Sequence, residues 1–133
     1  MLSKIQTFES HGSIISYLRK VNPFVFEEII LDCFEQKKWR VVRNKRYTGD
    51  GGSDGRVISP DNKQFLIQAK RYSGYINPKH INDFNLAVNS DKKATSGFFI
   101  HTGKTGGLSK KITAQLTNIE IISGTKLVEL IKQ

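Results

Sequence analysis

The sequence predicts a single α/β domain in which helices flank a mixed β-sheet. Three observations lead to this fold class. An amphipathic helical pattern occupies residues 24–37. Three strand-like segments then follow one another between residues 39 and 70, which is typical of an antiparallel meander. From residue 78 onwards helical and strand patterns alternate, which is the order expected where further strands join a sheet through helices.

The composition is that of a globular domain. The chain has 133 residues, of which 38% are hydrophobic and 25% are charged, so a core can form without disulfides or structural metal. Its single cysteine, Cys33, has no partner for an intramolecular disulfide or a CxxC zinc site, which fits a reducing compartment. No segment has the pattern of a signal peptide or the roughly 20 apolar residues of a membrane span. We therefore expect a cytoplasmic protein without membrane contact.

The charge balance indicates a polyanionic partner. Lys and Arg number 21 against 12 Asp and Glu, so the formal net charge is +9. Such an excess on a small domain favours nucleic acid, because cations that meet phosphates release bound counterions. Six cations lie within residues 37–46, namely Lys37, Lys38, Arg40, Arg43, Lys45 and Arg46. The alternative is a solvated basic surface that only keeps the protein in solution.

Two helices are expected before the first strand. Residues 12–21 form a short helix that ends near Pro23, because proline disfavours helical geometry in the preceding residue. Residues 24–37 form the second, and at about 100° per residue its apolar side chains share one face. That face comprises Phe26, Ile29, Ile30, Cys33 and Phe34, and the opposite side comprises Glu28, Asp32 and Glu35. Glu27 lies at the flank of the apolar face.

The remaining elements follow from turn signals and apolar runs. The meander consists of strands at 39–46, 56–58 and 64–70, and a loop with four glycines occupies residues 48–55. Asn77 and Pro78 are the cap and first residue expected of a helix over 78–89, partly supported by Ile81, Phe84, Leu86 and Val88. The chain then continues through a strand at 96–102, a helix at 107–117, a strand at 118–122 and a helix at 125–132.

Several common catalytic chemistries are not supported. There is no GxSxG motif, and the three histidines, His11, His80 and His101, do not have the spacing of zinc ligands. The glycine-rich loop is not followed by the Gly-Lys-Ser/Thr of a phosphate-binding loop, and it precedes a strand rather than a helix. It also lacks the terminal glutamate of a calcium loop.

A more specific constellation is formed by Asp54, Gln68 and Lys70. Residues two apart in a strand point to the same face, so Gln68 and Lys70 share one face of the third strand. The hairpin brings that strand back beside Asp54, and carboxylate and amide oxygens are ligands that Mg²⁺ prefers. An adjacent ammonium can hold the attacking water and offset charge on a phosphorane. These are the parts that phosphodiester hydrolysis needs, and the alternative is an exposed hairpin with ordinary polar residues.

A series of short motifs extends this constellation over residues 24–131. In order they are Phe26-Glu27, Trp39-x-Val41, TGDGGSDG at 48–55, QAKRY at 68–72, GFFIHTG at 97–103 and IISGTKL at 121–127. The series resembles the Mrr-type restriction endonuclease catalytic domain, in the PD-(D/E)xK nuclease superfamily and related to archaeal Holliday-junction resolvases. The resemblance implies a restriction-endonuclease-like fold over 23–133, with residues 1–22 as a helical extension.

The resemblance also implies roles for individual residues. Asp54 and Gln68 would bind a divalent metal, Mg²⁺ or alternatively Mn²⁺, and Lys70 would be the catalytic lysine. Glu27 would reach the metal directly or through water, and Asp50 would fix the glycine-rich loop. Gln68 stands where the superfamily usually has an acid, although the Mrr branch carries glutamine there, so the site has one negative charge fewer.

Two smaller departures from the family pattern leave the catalytic groups in place. Lys38 stands where a glycine often precedes the aromatic residue, and His101 stands where the family tends to have threonine. We expect His101 to be structural.

The expected activity is that of a metal-dependent DNA endonuclease, either of restriction type or specific for junctions and other DNA structures. Its DNA contacts are predicted at Arg43, Lys45, Arg46 and Arg71. A homodimer is expected, because two-fold dimers are the commonest assembly, and a separate recognition subunit is a further expected partner. Two alternatives remain, a non-catalytic DNA-binding module that kept the fold and a structure-specific RNA nuclease.

Overall fold

The structure, a computed structural model, describes residues 2–43 and 54–133. Within these ranges the helices are α1 (Leu2–Ile5), α2 (His11–Lys20), α3 (Pro23–Gln36), α4 (Pro78–Ser90), α5 (Gly107–Gln115) and α6 (Gly124–Lys132). The strands are β1 (Arg40–Arg43), β2 (Gly55–Ile58), β3 (Gln64–Lys70), β4 (Ala94–His101) and β5 (Ile119–Ile122). None of the helices described has the length and apolar character needed to cross a bilayer.

The strands form one mixed sheet in the order β1-β2-β3-β4-β5. The first three pair antiparallel, which confirms the predicted meander. β4 and β5 then add parallel strands, and the chain reaches them through α4 and α5. The predicted fold class, a mixed sheet flanked by helices, is therefore confirmed.

The sheet separates two hydrophobic cores. The larger core lies on the side of α1, α2, α3 and α6, and it receives Ile67 and Ala69 of β3. The smaller core lies on the side of α4 and α5, and it receives Leu66 of β3 and Phe99 of β4. The predicted apolar face of α3 is buried in the larger core throughout, from Phe26 to Phe34. β3 thus contributes to both cores through its alternating side chains.

Asn-Pro pairs fix the starts of the two helices that border the site. The side chain of Asn22 accepts a hydrogen bond from the Phe24 N–H at 2.8 Å, and Pro23 is the first residue of α3. Asn77 accepts from the Lys79 N–H at 3.0 Å in the same way, with Pro78 opening α4. These caps satisfy backbone donors that have no partner within the helix.

Some details differ from the expectations. α1 was not expected, since its four residues are too short to show a helical period. Leu86, expected to support α4, is 64% exposed, because the buried side of that helix is formed by Ile81, Phe84 and Val88. Residues 44–46 of the first predicted strand lie outside the described residues, as does Asp50 of the glycine-rich loop.

Candidate active site

The pairing of β2 with β3 fixes the position of Asp54. Gly55 lies opposite Ile67, so the residue before it, Asp54, comes opposite Gln68. The N–H of Asp54 donates to the carbonyl of Ile67 at 2.7 Å. Its carboxylate Oδ2 accepts from the N–H of Ala69 at 2.6 Å. Asp54 is therefore bound to β3 through both its backbone and its side chain.

Gln68 presents a buried oxygen to the same place. Gln68 and Lys70 alternate with Ala69 along β3 and so share the face on which Leu66 meets the α4 core. Gln68 is only 5% exposed, and its side-chain Oε1 has no hydrogen-bond partner among the residues that the structure describes. An unpartnered buried amide oxygen costs about 1–3 kcal/mol in desolvation, and a bound cation is one partner that would offset this cost.

Glu27 reaches the site from α3. Its carboxyl group is hydrogen-bonded to that of Asp54. Burial, followed by the neighbouring charge and hydrogen bond of Asp54, raises the pKa of Glu27 to about 7. Burial also raises the pKa of Asp54, which the Ala69 N–H opposes. Glu27 therefore binds a proton near neutral pH, and a cation bound between the two carboxyl groups would displace it.

Lys70 completes the group of predicted catalytic residues. It is half-buried at the end of β3, and its ammonium partly opposes the rise that burial causes in the pKa values of Glu27 and Asp54. Asp54 and Lys70 therefore lie within electrostatic range of each other. Glu27, Asp54 and Lys70 thus lie near one another at the end of β3, and Gln68 lies opposite Asp54 in the strand pairing. The individual roles of these four residues stay predictions.

The donors present suit a hard divalent cation. Within residues 2–43 and 54–133 no three His, Cys, Asp or Glu side chains are grouped as a metal site. The group at hand instead combines two carboxylates, Glu27 and Asp54, with the amide oxygen of Gln68. Oxygen donors of this kind fit Mg²⁺, which keeps several waters and needs few protein ligands.

The predicted DNA contacts have different surroundings. The guanidinium of Arg43 is bound by three carboxylates on the exposed side of α3, Glu28 at 2.9 Å, Asp32 at 3.3 Å and Glu35 at 2.8 Å. Arg71 is exposed and donates from Nη1 to the carbonyl of Arg19 at 2.6 Å. Lys45 and Arg46 lie outside the described residues.

Two groups beside Lys70 were not predicted from the sequence. The hydroxyl of Tyr72 is hydrogen-bonded to Nδ1 of His80, and the charge of Lys70 contributes to lowering the pKa of His80. The pair forms only because the loop after β3 returns to the start of α4, and no local pattern in the sequence indicates this contact.

His101 lies opposite Lys70 on β4. It is fully buried and accepts a hydrogen bond at Nδ1 from the Gly103 N–H at 3.0 Å. Burial lowers its pKa to about 4, so the imidazole is neutral at physiological pH.

Comparisons with solved structures show the same fold. The chain is similar to the MspJI restriction endonuclease in complex with a 27-mer oligonucleotide, with a TM-score of 0.67 and 20% identity over 98% of this chain. It is also similar to the DNA modification-dependent restriction endonuclease AspBHI, with a TM-score of 0.70 and 17% identity over 99% of this chain. The aligned regions cover only 33% and 38% of those two chains.

Sequence comparison places the chain in a family. No curated protein sequence matches it significantly. The Mrr_cat family model, described as a restriction endonuclease, matches residues 18–131. This match spans all five strands of the sheet and includes Glu27, Asp54, Gln68 and Lys70. The chain therefore belongs to the Mrr catalytic-domain family of restriction endonucleases.

Proposed function

We propose that this chain is a metal-dependent DNA endonuclease domain that hydrolyses phosphodiester bonds. The observation that supports the proposal is the position of Asp54, which lies opposite Gln68 in the pairing of β2 with β3 and within electrostatic range of Glu27 and Lys70. The proposed donors are the carboxylates of Glu27 and Asp54 and Oε1 of Gln68, which has no hydrogen-bond partner among the described residues, and the proposed ammonium belongs to Lys70. Membership in a restriction endonuclease family supports the same conclusion.

The three donors would hold the metal. Asp54 is oriented for this by the Ala69 N–H, which occupies Oδ2. Glu27 contributes its carboxylate once its proton has left, and Gln68 contributes a neutral oxygen. When bound, Mg²⁺, or alternatively Mn²⁺, supplies positive charge that polarises the phosphodiester group.

Lys70 is proposed to orient the attacking water and to stabilise the charge that develops on the phosphate oxygens. Hydrolysis adds water across one P–O bond and leaves one phosphate monoester terminus and one hydroxyl terminus. Charge accumulates on the phosphorane oxygens as the water adds, and an ammonium held beside them is most effective where water is partly excluded. The half-buried position of Lys70, restrained at a strand end, supports this role.

The DNA partner and the assembly belong to the same proposal. A net charge of +9 supports binding of duplex or branched DNA, with Arg71 and the basic stretch 37–46 as contacts. The chain corresponds to about a third of the length of the similar restriction enzymes, with 33% and 38% of those chains covered. We propose a homodimer that presents two sites to the DNA, because two-fold dimers are the commonest assembly, and a separate recognition subunit as a further partner.

The proposal is tested by cleavage of supercoiled plasmid, branched DNA and RNA in Mg²⁺, Mn²⁺ or EDTA. Asp54→Ala and Lys70→Ala should each lower the cleavage rate about 10²–10³-fold, as expected when a group that stabilises the transition state is lost. Asp61→Ala and Lys63→Ala are matched controls, since this acid and amine lie on the same hairpin at its exposed turn. Both controls should cleave like the parent.

Four results would contradict the proposal or a part of it. Cleavage in EDTA would exclude a metal-dependent mechanism. Tight DNA binding without cleavage of any substrate would favour the non-catalytic module. Cleavage of RNA but not of DNA would show that the substrate is RNA. Sedimentation that finds a strict monomer with and without DNA would remove the homodimer from the proposal.

A further inference from the structure

Tyr72 and His80 form a hydrogen-bonded pair beside Lys70 that the proposed hydrolysis does not yet use. Tyr72 follows β3 by two residues, and His80 lies in the first turn of α4. The phenol hydroxyl is bonded to Nδ1 of the imidazole, and the ring centroids are 5.8 Å apart. Both residues are half-buried, and His80 lies within electrostatic range of the Lys70 ammonium.

The direction of this hydrogen bond follows from the acidities of its two partners. A phenol O–H is a stronger acid than the N–H of a neutral imidazole, and an imidazole nitrogen is a stronger base than a phenol oxygen. We therefore assign the Tyr72 hydroxyl as the donor and Nδ1 of His80 as the acceptor. The imidazole is then neutral and carries its proton on Nε2. Burial and the charge of Lys70 lower the pKa of His80, which favours the same neutral form.

The position of Tyr72 is fixed by its backbone. Its N–H donates to the hydroxyl of Thr102 at 2.9 Å, and that hydroxyl donates to the Tyr72 carbonyl at 2.8 Å. Gly103 approaches so closely that an added Cβ would lie 2.4 Å from the Gly74 carbonyl oxygen and 2.7 Å from Cβ of Tyr72. The loops that follow β3 and β4 therefore pack closely against each other. This packing fixes the position of the Tyr72 phenol, which in turn is hydrogen-bonded to the His80 imidazole.

We propose that His80 is a further phosphate-binding residue whose Nε2–H donates to the phosphodiester group beside Lys70, and that Tyr72 is the positioning residue that holds it. The inference rests on the proposed nuclease function. A neutral N–H donor adds a contact to the anionic substrate without placing a second cation next to Lys70. Lys70 and α4 lie on the same side of the sheet, which brings both donors to one substrate group.

The tautomer of His80 is tested directly by ¹⁵N-edited NMR of the imidazole groups. The chain has three histidines, so the His80 signals are assigned by their loss in His80→Gln. We expect an unprotonated Nδ1 and a protonated Nε2 in the parent, and a mixture of tautomers in Tyr72→Phe. A protonated Nδ1 in the parent would overturn the proposed donation from Tyr72 to His80. An unchanged His80 spectrum in Tyr72→Phe would do the same. This readout needs neither metal nor activity.

Contact between His80 and the substrate is tested by comparing two amide side chains at this position, glutamine and asparagine. The glutamine amide reaches about as far as Nε2, whereas the asparagine amide reaches only Nδ1. His80→Asn should therefore lower kcat about 10–100-fold, the range expected for a lost hydrogen bond to a charged group, while His80→Gln keeps most of the activity. Tyr72→Phe should lower kcat less than His80→Asn does.

His11→Gln, at an exposed histidine on α2, is the control and should leave the rate unchanged. Equal losses in His80→Gln and His80→Asn, with melting temperatures unchanged, would overturn the donor role. Parent-like activity in His80→Asn would do the same. An inactive parent would instead refute the nuclease function itself, and the NMR result on the Tyr72–His80 pair would still stand.

Discussion

At the scale of single residues, the candidate site changes its charge within the physiological pH range. Glu27 has its pKa raised to about 7, chiefly by burial and by Asp54. Below that pH the pair of carboxyl groups carries a proton that a divalent cation must displace, and above it both groups are free to bind. We therefore expect the affinity for a divalent metal to rise with pH.

The first prediction concerns the pH dependence of metal binding. Between pH 6 and pH 7 the Mg²⁺ affinity of the parent should rise up to about tenfold, the limit for release of one proton per metal bound. Glu27→Gln should bind Mg²⁺ more weakly and with a flatter pH profile. Isothermal titration calorimetry in buffers of different ionisation enthalpy measures both the affinity and the proton release.

Glu28→Gln is the matched control for this experiment. Glu28 follows Glu27 on α3, but it is exposed and bound to Arg43. Its substitution should shift the pH profile of metal binding only slightly, because the charge of Glu28 contributes less to the raised pKa of Glu27 than burial and Asp54 do. If Glu27→Gln and Glu28→Gln behaved alike, the assignment of Glu27 to the metal site would be wrong.

The residue-level predictions differ in how far the sequence supports them. The helical projection places Glu27 at the flank of an apolar face, and the spacing of Gln68 and Lys70 places them on one side of a strand. Both follow from local periodicity. The proton bound by Glu27 and the acidic partners of Arg43 depend on which elements pack together, so composition and spacing do not predict them.

At the scale of secondary structure elements, the strongest local signals gave the most accurate bounds. β3 coincides with its prediction at 64–70, because apolar residues there are bounded by a turn and by two cations. α3 begins at Pro23, within one residue of the expected start. The exposure of Leu86 was not predicted, since the buried side of α4 is set by the sheet beneath it rather than by apolar content.

The second prediction concerns the packing of α4 on β4 at Gly97. An added Cβ at Gly97 would lie 2.6 Å from Cγ2 of Val88 and 2.7 Å from Cζ of Phe84. Gly97→Ala should therefore destabilise the fold by about 1–3 kcal/mol, the range for overpacking a core. Gly12→Ala is the control, because no atom lies within 4 Å of its Cβ position and alanine is the better helix former. Urea denaturation measures both, and a parent-like midpoint for Gly97→Ala would contradict the packing described.

At the scale of the whole molecule, the positive charge is not distributed as the sequence suggests. The basic stretch contains Arg43, yet this side chain is bound by three carboxylates of α3. Arg71 lies one residue beyond Lys70 and is exposed. Of these two arginines, Arg71 rather than Arg43 therefore lies at the end of β3 with its charge not offset by carboxylates.

The third prediction compares these two arginines in DNA binding. Arg71→Ala should reduce the slope of log K against log salt by about 0.9, the value for one phosphate contact on duplex DNA. Arg43→Ala should change the slope less, because carboxylates already offset its charge. Fluorescence anisotropy with a labelled duplex from low to moderate salt measures both slopes. Equal reductions in slope would show that Arg43 leaves the acidic face of α3 to bind DNA. An unchanged slope for Arg71→Ala would show that Arg71 does not contact the DNA.

The attachment of Asp54 to β3 has a consequence for how the chain tolerates insertions. Asp54 meets Gln68 through strand pairing, so the number of residues looped out between Ile58 and Gln64 does not affect the geometry of the ligands. A lengthened turn should leave the proposed hydrolysis intact. A shift of one residue in the alignment of these two strands should instead abolish it, because Asp54 would no longer lie opposite Gln68. The number of residues between Asp54 and Gln68 can therefore vary, whereas the alignment of their two strands cannot.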